Sequence, residues 1–187
     1  MIKVKLNLGA GNFHKEGFIN TDIDPKTNPN IVHNLEDFPY PFKNVDLIEI
    51  DHVLEHIPDP FKVMRELHRI LKPGGKLVIK VPHFTRALTQ PNHKRGFDVS
   101  FPYYFNKQWK GEYAGVNFKL IKMRLKWSAN NHLKKRVLSP VNYYAMIFIG
   151  EIIDLLANIS PHFTSRIWAY WVGGFEEIEY QFKKHKI

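Results

Sequence analysis

The stretch Lys5-Leu6-Asn7-Leu8-Gly9-Ala10-Gly11-Asn12 constrains the fold more than any other, because an apolar strand there runs straight into a Gly-x-Gly turn. Glycine lacks Cβ, so Gly9 and Gly11 let the chain turn sharply at the strand's carboxyl end and let a bulky ligand sit against bare backbone. Two later segments repeat the arrangement. Gly17-Phe18-Ile19-Asn20-Thr21-Asp22-Ile23-Asp24 reads as a strand ending in carboxylates, and Val45-Asp46-Leu47-Ile48-Glu49-Ile50-Asp51 as another that ends at Asp51-His52. Side by side, these three ends line one crevice.

Only five residues separate Gly11 from Gly17, whereas a parallel crossover with its helix normally needs about a dozen. The first helix is therefore shortened to about one turn or absent. Further on, Ile31 to Asn34 is a short strand, and the aromatics of Phe38-Pro39-Tyr40-Pro41-Phe42 staple a loop. Asp59-Pro60 is a helix start, Asp as N-cap and Pro at the first position, with Phe61, Met64, Leu67 and Leu71 following at helical spacing. Lys72-Pro73-Gly74-Gly75 ends that helix, and Leu77 to Val81 is an apolar strand of the kind buried in a parallel sheet. The order of elements is α/β.

The second half reads differently. Pro82 to Ser100 is a polar, irregular loop holding His83, Arg86, His93, Lys94 and Arg95; Phe101 to Tyr113 is expected to be helical. Phe118 to Trp127 is a half-buried strand with Ile121, Met123, Leu125 and Trp127 on its apolar face, and Glu176 to Phe182 is a final strand. Between them, Val141 to Ile159 forms a helix whose polar stripe is Glu151, Asp154 and Asn158, with Asn142 at its start. So wide an apolar face is expected to be buried as a lid or dimer helix, with docking on a membrane surface beside the basic Lys134-Lys135-Arg136 as the alternative. No apolar run is expected to reach the ~18 to 20 residues of a membrane span.

A chain of 187 residues, 44% hydrophobic, suffices for one substantial core, and we expect a single domain over 1–187: a cofactor-binding half, 1–82, and a substrate-side half, 83–187, with a helical insertion around 141–170. With no cysteine, disulfides and thiolate metal sites are excluded and nothing requires an oxidising compartment, so a cytoplasmic protein is expected, with membrane-peripheral contact as its one qualification. The net charge of +9 is uneven. Residues 1–90 carry 12 Lys+Arg against 11 Asp+Glu, while residues 91–187 carry 15 against 7. The excess of +8 in the second half suits an acidic or phosphorylated partner or an anionic surface.

The ordered series formed by Leu6 to Gly11, Asn20 to Asp24, Asn34 to Phe42, Val45 to Ile48, His52-Val53-Leu54-Glu55-His56 and Leu71 to Leu77 resembles the class I S-adenosylmethionine-dependent methyltransferases over roughly the first half of the chain. The resemblance implies a Rossmann-like fold, a mostly parallel sheet with helices on both faces, here with the first helix shortened or absent. It implies S-adenosylmethionine as cofactor, held by Asn7, Leu8, Gly9, Ala10 and Gly11 at the turn, by Asp22 with its neighbour Ile23 at the ribose, by Asn34 and Leu35 at the adenine, and by Asp51 and His52 beside the methionine end. A carboxylate can accept both hydroxyl hydrogens of a ribose diol, which suits Asp22. Two departures stand out. Asp22 lies thirteen residues after Gly9 instead of around twenty, and Asn34 stands where the family usually has an aspartate.

Gln90-Pro91-Asn92-His93-Lys94-Arg95 resembles the Asp-Pro-x-His-x-Arg loop of one branch of the family, with Gln90 in place of the aspartate. His93 is accordingly the candidate general base, and His83 is second. The expected reaction is methyl transfer to an oxygen of a small-molecule or glycan-type acceptor. Nucleic acid is not expected, because no Asn-Pro-Pro-Tyr type signature follows Asp51, and oligomeric state is not legible. Two rivals remain: a non-catalytic basic binding or scaffold module on the same fold, and a zinc hydrolase through His52-x-x-Glu55-His56. The latter needs a sustained helix, which Pro58 and Pro60 leave no room for, so no resident metal is expected.

Overall fold

The computed structural model describes residues 3–185. In chain order the elements are β1 (Lys5–Leu8), β2 (Ile19–Asp22), β3 (Ile31–Val32), β4 (Val45–Asp51), α1 (Pro60–Ile70), β5 (Leu71–Pro82), α2 (Phe84–Ala87), β6 (Phe118–Lys126), α3 (Asn131–Lys134), α4 (Pro140–Ala157), α5 (Pro161–Arg166) and β7 (Glu177–Lys184). They build one seven-stranded sheet in the order β3-β2-β1-β4-β5-β7-β6. The first five strands are parallel, and β7 runs antiparallel between β5 and β6. From β1 the chain steps outward through β2 and β3, then returns to lay β4 against the other side of β1. At that reversal the carboxyl ends of β1 and β4 diverge, which is where an open α/β sheet has its crevice.

No helix joins β1 to β2. An asparagine network takes its place: Asn7 Nδ2 donates to Asn20 Oδ1 at 2.9 Å and to the Phe13 carbonyl at 3.0 Å. Asn20 Oδ1 also accepts from the Lys15 amide at 2.8 Å, and Asn20 Nδ2 donates back to the Lys15 carbonyl at 3.2 Å. Asn7 and Asn20 are buried, so these side chains supply the loop backbone with partners that a crossover helix would have supplied to itself.

Helix α1 starts where the sequence puts it, with Asp59 Oδ1 accepting from the Lys62 amide at 3.0 Å. Its buried stripe is Pro60, Val63, Met64, Leu67 and Ile70, one step round from the expected one. Lys72 to Gly75 fall inside β5, at an irregularity between its pairings of Leu71 with Val45 and of Lys76 with Leu47. The expected helix over Phe101 to Tyr113 is confined to a 3-10 segment, Phe101–Phe105; its aromatics pack on one another and on Tyr180, and that cluster needs no longer helix.

The expected apolar face of β6 holds at Leu125, Met123 and Trp127, which lie in or against the core, and fails at Ile121. A register shift between Leu120 and Lys122 leaves Ile121 without a partner on β7. One inserted residue reverses the alternation, so Phe118 and Leu125 are buried while Ile121 is 54% exposed.

The largest departure is α4. Two of the three residues of its polar stripe face the protein, Glu151 staying exposed: Asp154 Oδ1 accepts from the Trp127 amide at 2.7 Å, and Asn158 exchanges hydrogen bonds with the Leu125 amide and carbonyl at 2.8 and 2.9 Å. Strand β6 is the sheet edge, and its outward N–H and C=O groups need polar partners. The apolar side of the helix consequently points away. Val141, Tyr144, Phe148, Ile152 and Leu155 are exposed, and only Gly150 and Ala157 are buried along its 18 residues, so the expectation of a buried lid fails. The expected lack of a span-length apolar run fails as well, since α4 meets the length and composition of one.

His83 is fully buried, held by Thr85 Oγ1 at 2.7 Å and Ser165 Oγ at 2.9 Å, which makes it a packing residue and removes it as second candidate base. Burial pushes its pKa down to about 4, against a weak opposing pull from Asp98. The folded chain binds this proton less readily than the unfolded one, so the His83 contribution to stability is complete above pH 6.5 and is lost as pH falls towards 4. Urea unfolding between pH 4 and 7 should show that loss, and His83→Gln should flatten it; an equal slope in the variant would assign the loss to other groups.

Candidate active site

The turn after β1 is built around two left-handed glycines, Gly9 at φ 72° and Gly11 at φ 49°. A Cβ on Gly9 would lie 2.3 Å from Val53 Cγ2, so no other residue fits there, whereas one on Gly11 would meet open space. Asp22, at the end of β2, holds the turn through Oδ2, which accepts from the Gly11 amide at 2.7 Å, while Oδ1 accepts from the Asp24 amide at 2.9 Å. Each carboxylate oxygen keeps a second lone pair. Gly9, Gly11, Asp22, Ile23, Asn34, Leu35, His52 and Val53 line one cleft of about 370 Å³. Asn34 Oδ1 caps its own turn by accepting from the Glu36 amide at 3.0 Å, and Ile23, 63% exposed, offers the cleft a bare apolar surface.

A second cavity of about 330 Å³ lies across Gly9, lined by Asn7, Ala10, Asp51 and His52 among others. A third, also about 330 Å³, opens between His52, Glu55, His56, His93, Arg86, Lys134 and Glu176. His52 borders all three. Its backbone sits at φ 54°, unusual for a residue with a Cβ, and the ring is gripped from both sides. Nδ1 lies 3.3 Å from Glu55 Oε1 and Nε2 lies 3.0 Å from Glu177 Oε2. Burial opposes a charge here, but the hydrogen bonds to Glu177 and Glu55 outweigh it and raise the His52 pKa to about 10. His52 is an imidazolium at neutral pH.

His93 is close by and almost covered, its side chain 6% exposed. Nδ1 donates to the Ala87 carbonyl at 2.7 Å, and Nε2 faces Glu55 Oε1 at 3.9 Å. Opposite, Glu176 holds Arg86 and Lys134 on the cavity wall.

The structure thus brings Gly9, Gly11, Asp22, Ile23, Asn34, Leu35 and His52 to one cleft, sets Asn7, Ala10 and Asp51 on the adjoining cavity, and puts His93 on the third. Leu8 is the exception. Its side chain is fully buried in the core, so only its backbone remains near the turn. The His52-x-x-Glu55-His56 pattern does not form a helical metal site, because Leu54–His56 is a single 3-10 turn and both His52 nitrogens are engaged by carboxylates. Glu177 was invisible in the sequence: it comes from β7, 125 residues after His52, and no local spacing marks it.

With the geometry in place, comparison with known proteins is informative. Residues 15–79 match the family described as a methyltransferase domain. The demethylmenaquinone methyltransferase of Listeria welshimeri is 33% identical over 95 residues, 46% of this chain and 39% of that protein. The ubiquinone/menaquinone biosynthesis C-methyltransferase UbiE of Vibrio cholerae is 34% identical over 68 residues, 36% of this chain and 25% of that protein. The chain therefore spans well under half the length of these curated relatives. Among solved structures, a SAM-dependent methyltransferase from Archaeoglobus fulgidus superposes with a TM-score of 0.57 at 20% identity, over 97% of this chain and 86% of that one. The chain has the class I S-adenosylmethionine-dependent methyltransferase fold, and residues 15–79 are similar to the methyltransferase domain family.

The grip on His52 should show in stability. Replacing it leaves Glu55 and Glu177 buried without a cation, a loss of about 3 to 5 kcal/mol for a buried pair stripped of one partner. Urea unfolding of His52→Ala at pH 7 measures this, and a cost below about 1 kcal/mol would show that the interaction is not what holds the turn after β4.

Proposed function

We propose that this chain transfers the methyl group of S-adenosylmethionine to an oxygen of a small acceptor seated in the cavity between His93, Arg86 and Lys134. The observation that carries the reading is the continuity of the site: the Gly9–Asp22 cleft passes His52 directly into the cavity bordered by His93. The cleft fits the cofactor. Asp22 keeps free lone pairs for a diol, the exposed Ile23 offers a flat ring a surface, and the open side of Gly11 admits a ligand against backbone. When bound, the cofactor supplies an electrophilic methyl on a sulfonium with a neutral leaving group, so orientation of the acceptor accounts for much of the rate. His93, its Nδ1 proton committed to Ala87, presents Nε2 to the acceptor side. Arg86 and Lys134 favour an acidic or phosphorylated acceptor, glycan-type compounds included. The names of the curated relatives support a second reading, a carbon acceptor on a quinone-like ring, which needs the same proton removal.

Calorimetric titration tests the proposal. Micromolar binding of S-adenosylmethionine, about 8 kcal/mol, is expected, and Asp22→Ala should weaken it by about 1 to 2 kcal/mol or more. His93→Ala should leave that affinity intact and lower turnover by about 10² to 10⁴ once an acceptor is in hand. No heat and no thermal shift at millimolar cofactor would remove the methyltransferase reading.

We also infer that the outward face of α4 rests on an anionic bilayer. Tyr144, Phe148, Ile152 and Leu155 are exposed apolar residues of this helix, and the exposed Lys135 and Arg136 lie a few residues before it, the pairing that peripheral membrane helices use. Vesicles of phosphatidylglycerol should sediment the protein, phosphatidylcholine vesicles much less, and Phe148→Asp with Leu155→Asp should abolish it. A monodisperse dimer that ignores both vesicle types would assign the face to a second copy of the chain.

A further inference from the structure

Three side chains from separate parts of the sequence meet at the acceptor cavity: Glu55 and His56 from the turn after β4, and His93 from the loop after α2. One ligand atom from each lies within 4.8 Å of the other two, and the His56 and His93 ring centroids are 4.9 Å apart. His93 Nδ1 lies 2.7 Å from the Ala87 carbonyl, and His56 Nδ1 lies 3.1 Å from the Asn92 carbonyl. A carbonyl only accepts, so both Nδ1 atoms carry the proton, and in the neutral ring that leaves the lone pair on Nε2. A neutral imidazole anchored through its other nitrogen is the form in which histidine ligates metals. Glu55 is fully buried; Oε1 takes His52, and Oε2 is buried with no hydrogen-bond partner. Two imidazole nitrogens and the buried Glu55 carboxylate gather with no donor among the three: Oε1, which takes His52, lies 3.9 Å from His93 Nε2, and Oε2 of the same carboxylate has no partner. His52 serves Oε1 alone, so a further positive charge would satisfy the lone pairs that remain.

We propose that Glu55, His56 and His93 bind a divalent first-row transition-metal ion, of which Zn²⁺ and Mn²⁺ are representative, with coordination positions left open to the cavity. Two imidazoles and one carboxylate suit these ions and leave room for further ligands. Ligand bonds of about 2.0 to 2.2 Å place neighbouring donors roughly 3 to 3.5 Å apart, so closure asks each side chain to move about 1 Å. This replaces the sequence expectation of no metal, and it differs from the zinc-hydrolase pattern in that His52, held between two carboxylates, has no lone pair to give. The site itself stands on geometry alone. Its use rests on the proposed function: a hydroxyl-bearing acceptor would fill an open position and become a better proton donor there, and with metal bound His93 would act in turnover as a ligand and no longer as the base.

The test uses untagged full-length protein, stripped with chelator, desalted and titrated calorimetrically with ZnCl₂ and then MnCl₂ in the absence of cofactor. One equivalent of saturable binding is expected for Zn²⁺. His56→Ala, at an exposed position, and His93→Ala should each weaken it at least tenfold, while His14→Ala, at another exposed histidine, should not. No saturable heat, or binding unchanged in the double variant His56→Ala/His93→Ala with its circular dichroism intact, overturns the site. S-adenosylmethionine titrated into the same samples judges the methyltransferase reading separately. Cofactor binding without metal binding ends this proposal alone, and metal binding without cofactor binding ends only the other.

Discussion

An imidazolium between two carboxylates ties the molecule together. His52 follows directly on β4, Glu55 lies three residues further on, and Glu177 begins β7, so one charged ring joins the parallel half of the sheet to the antiparallel strands added after it. Burial disfavours each of these charges singly; together they hold one another in place. The chain turns abruptly at His52, whose backbone is left-handed at φ 54°. The same turn places Val53 against Gly9. The glycine turn, the strand-end acids and the cavity beyond them are therefore arranged around a single side chain.

Much of the first half was legible because its signals are local. A strand running into Gly9, a strand ending at Asp22 and an Asp59-Pro60 helix start each depend on residues within a few positions of one another, and the short Gly11–Gly17 interval correctly implied that the first helix is missing. The second half resisted for equally physical reasons. The inserted residue at Ile121 turns that one side chain out of a face to which alternation alone assigns it, and the aromatic run after Phe101 is set by packing on Tyr180. Glu177 reaches the site through strand pairing between β5 and β7. Such contacts belong to topology, and no window of sequence contains them.

Helix α4 shows how an amphipathic pattern can be read correctly and oriented wrongly. Its polar stripe is short and its apolar side broad, which ordinarily means apolar side inward. Here the neighbour is a sheet edge with unpaired amides and carbonyls, and Asp154 and Asn158 are the side chains that satisfy them. Satisfying the edge took precedence over burying the broad face. Which side of a helix turns inward depends on what awaits it there.

The asparagine-stitched connection between β1 and β2 has a thermodynamic consequence. That corner is held chiefly by hydrogen bonds among Asn7, Lys15 and Asn20, and most of the connection from Asn12 to Gly17 is exposed. A segment with so little buried apolar area opens at lower free energy than the core beneath it. A ligand laid against Gly9, Gly11 and Asp22 occupies the space beside this segment and draws on the same free energy that orders it. Occupancy of the cleft and closure of the corner then form a single equilibrium, and the protection of these amides from solvent exchange becomes a measure of how full the cleft is.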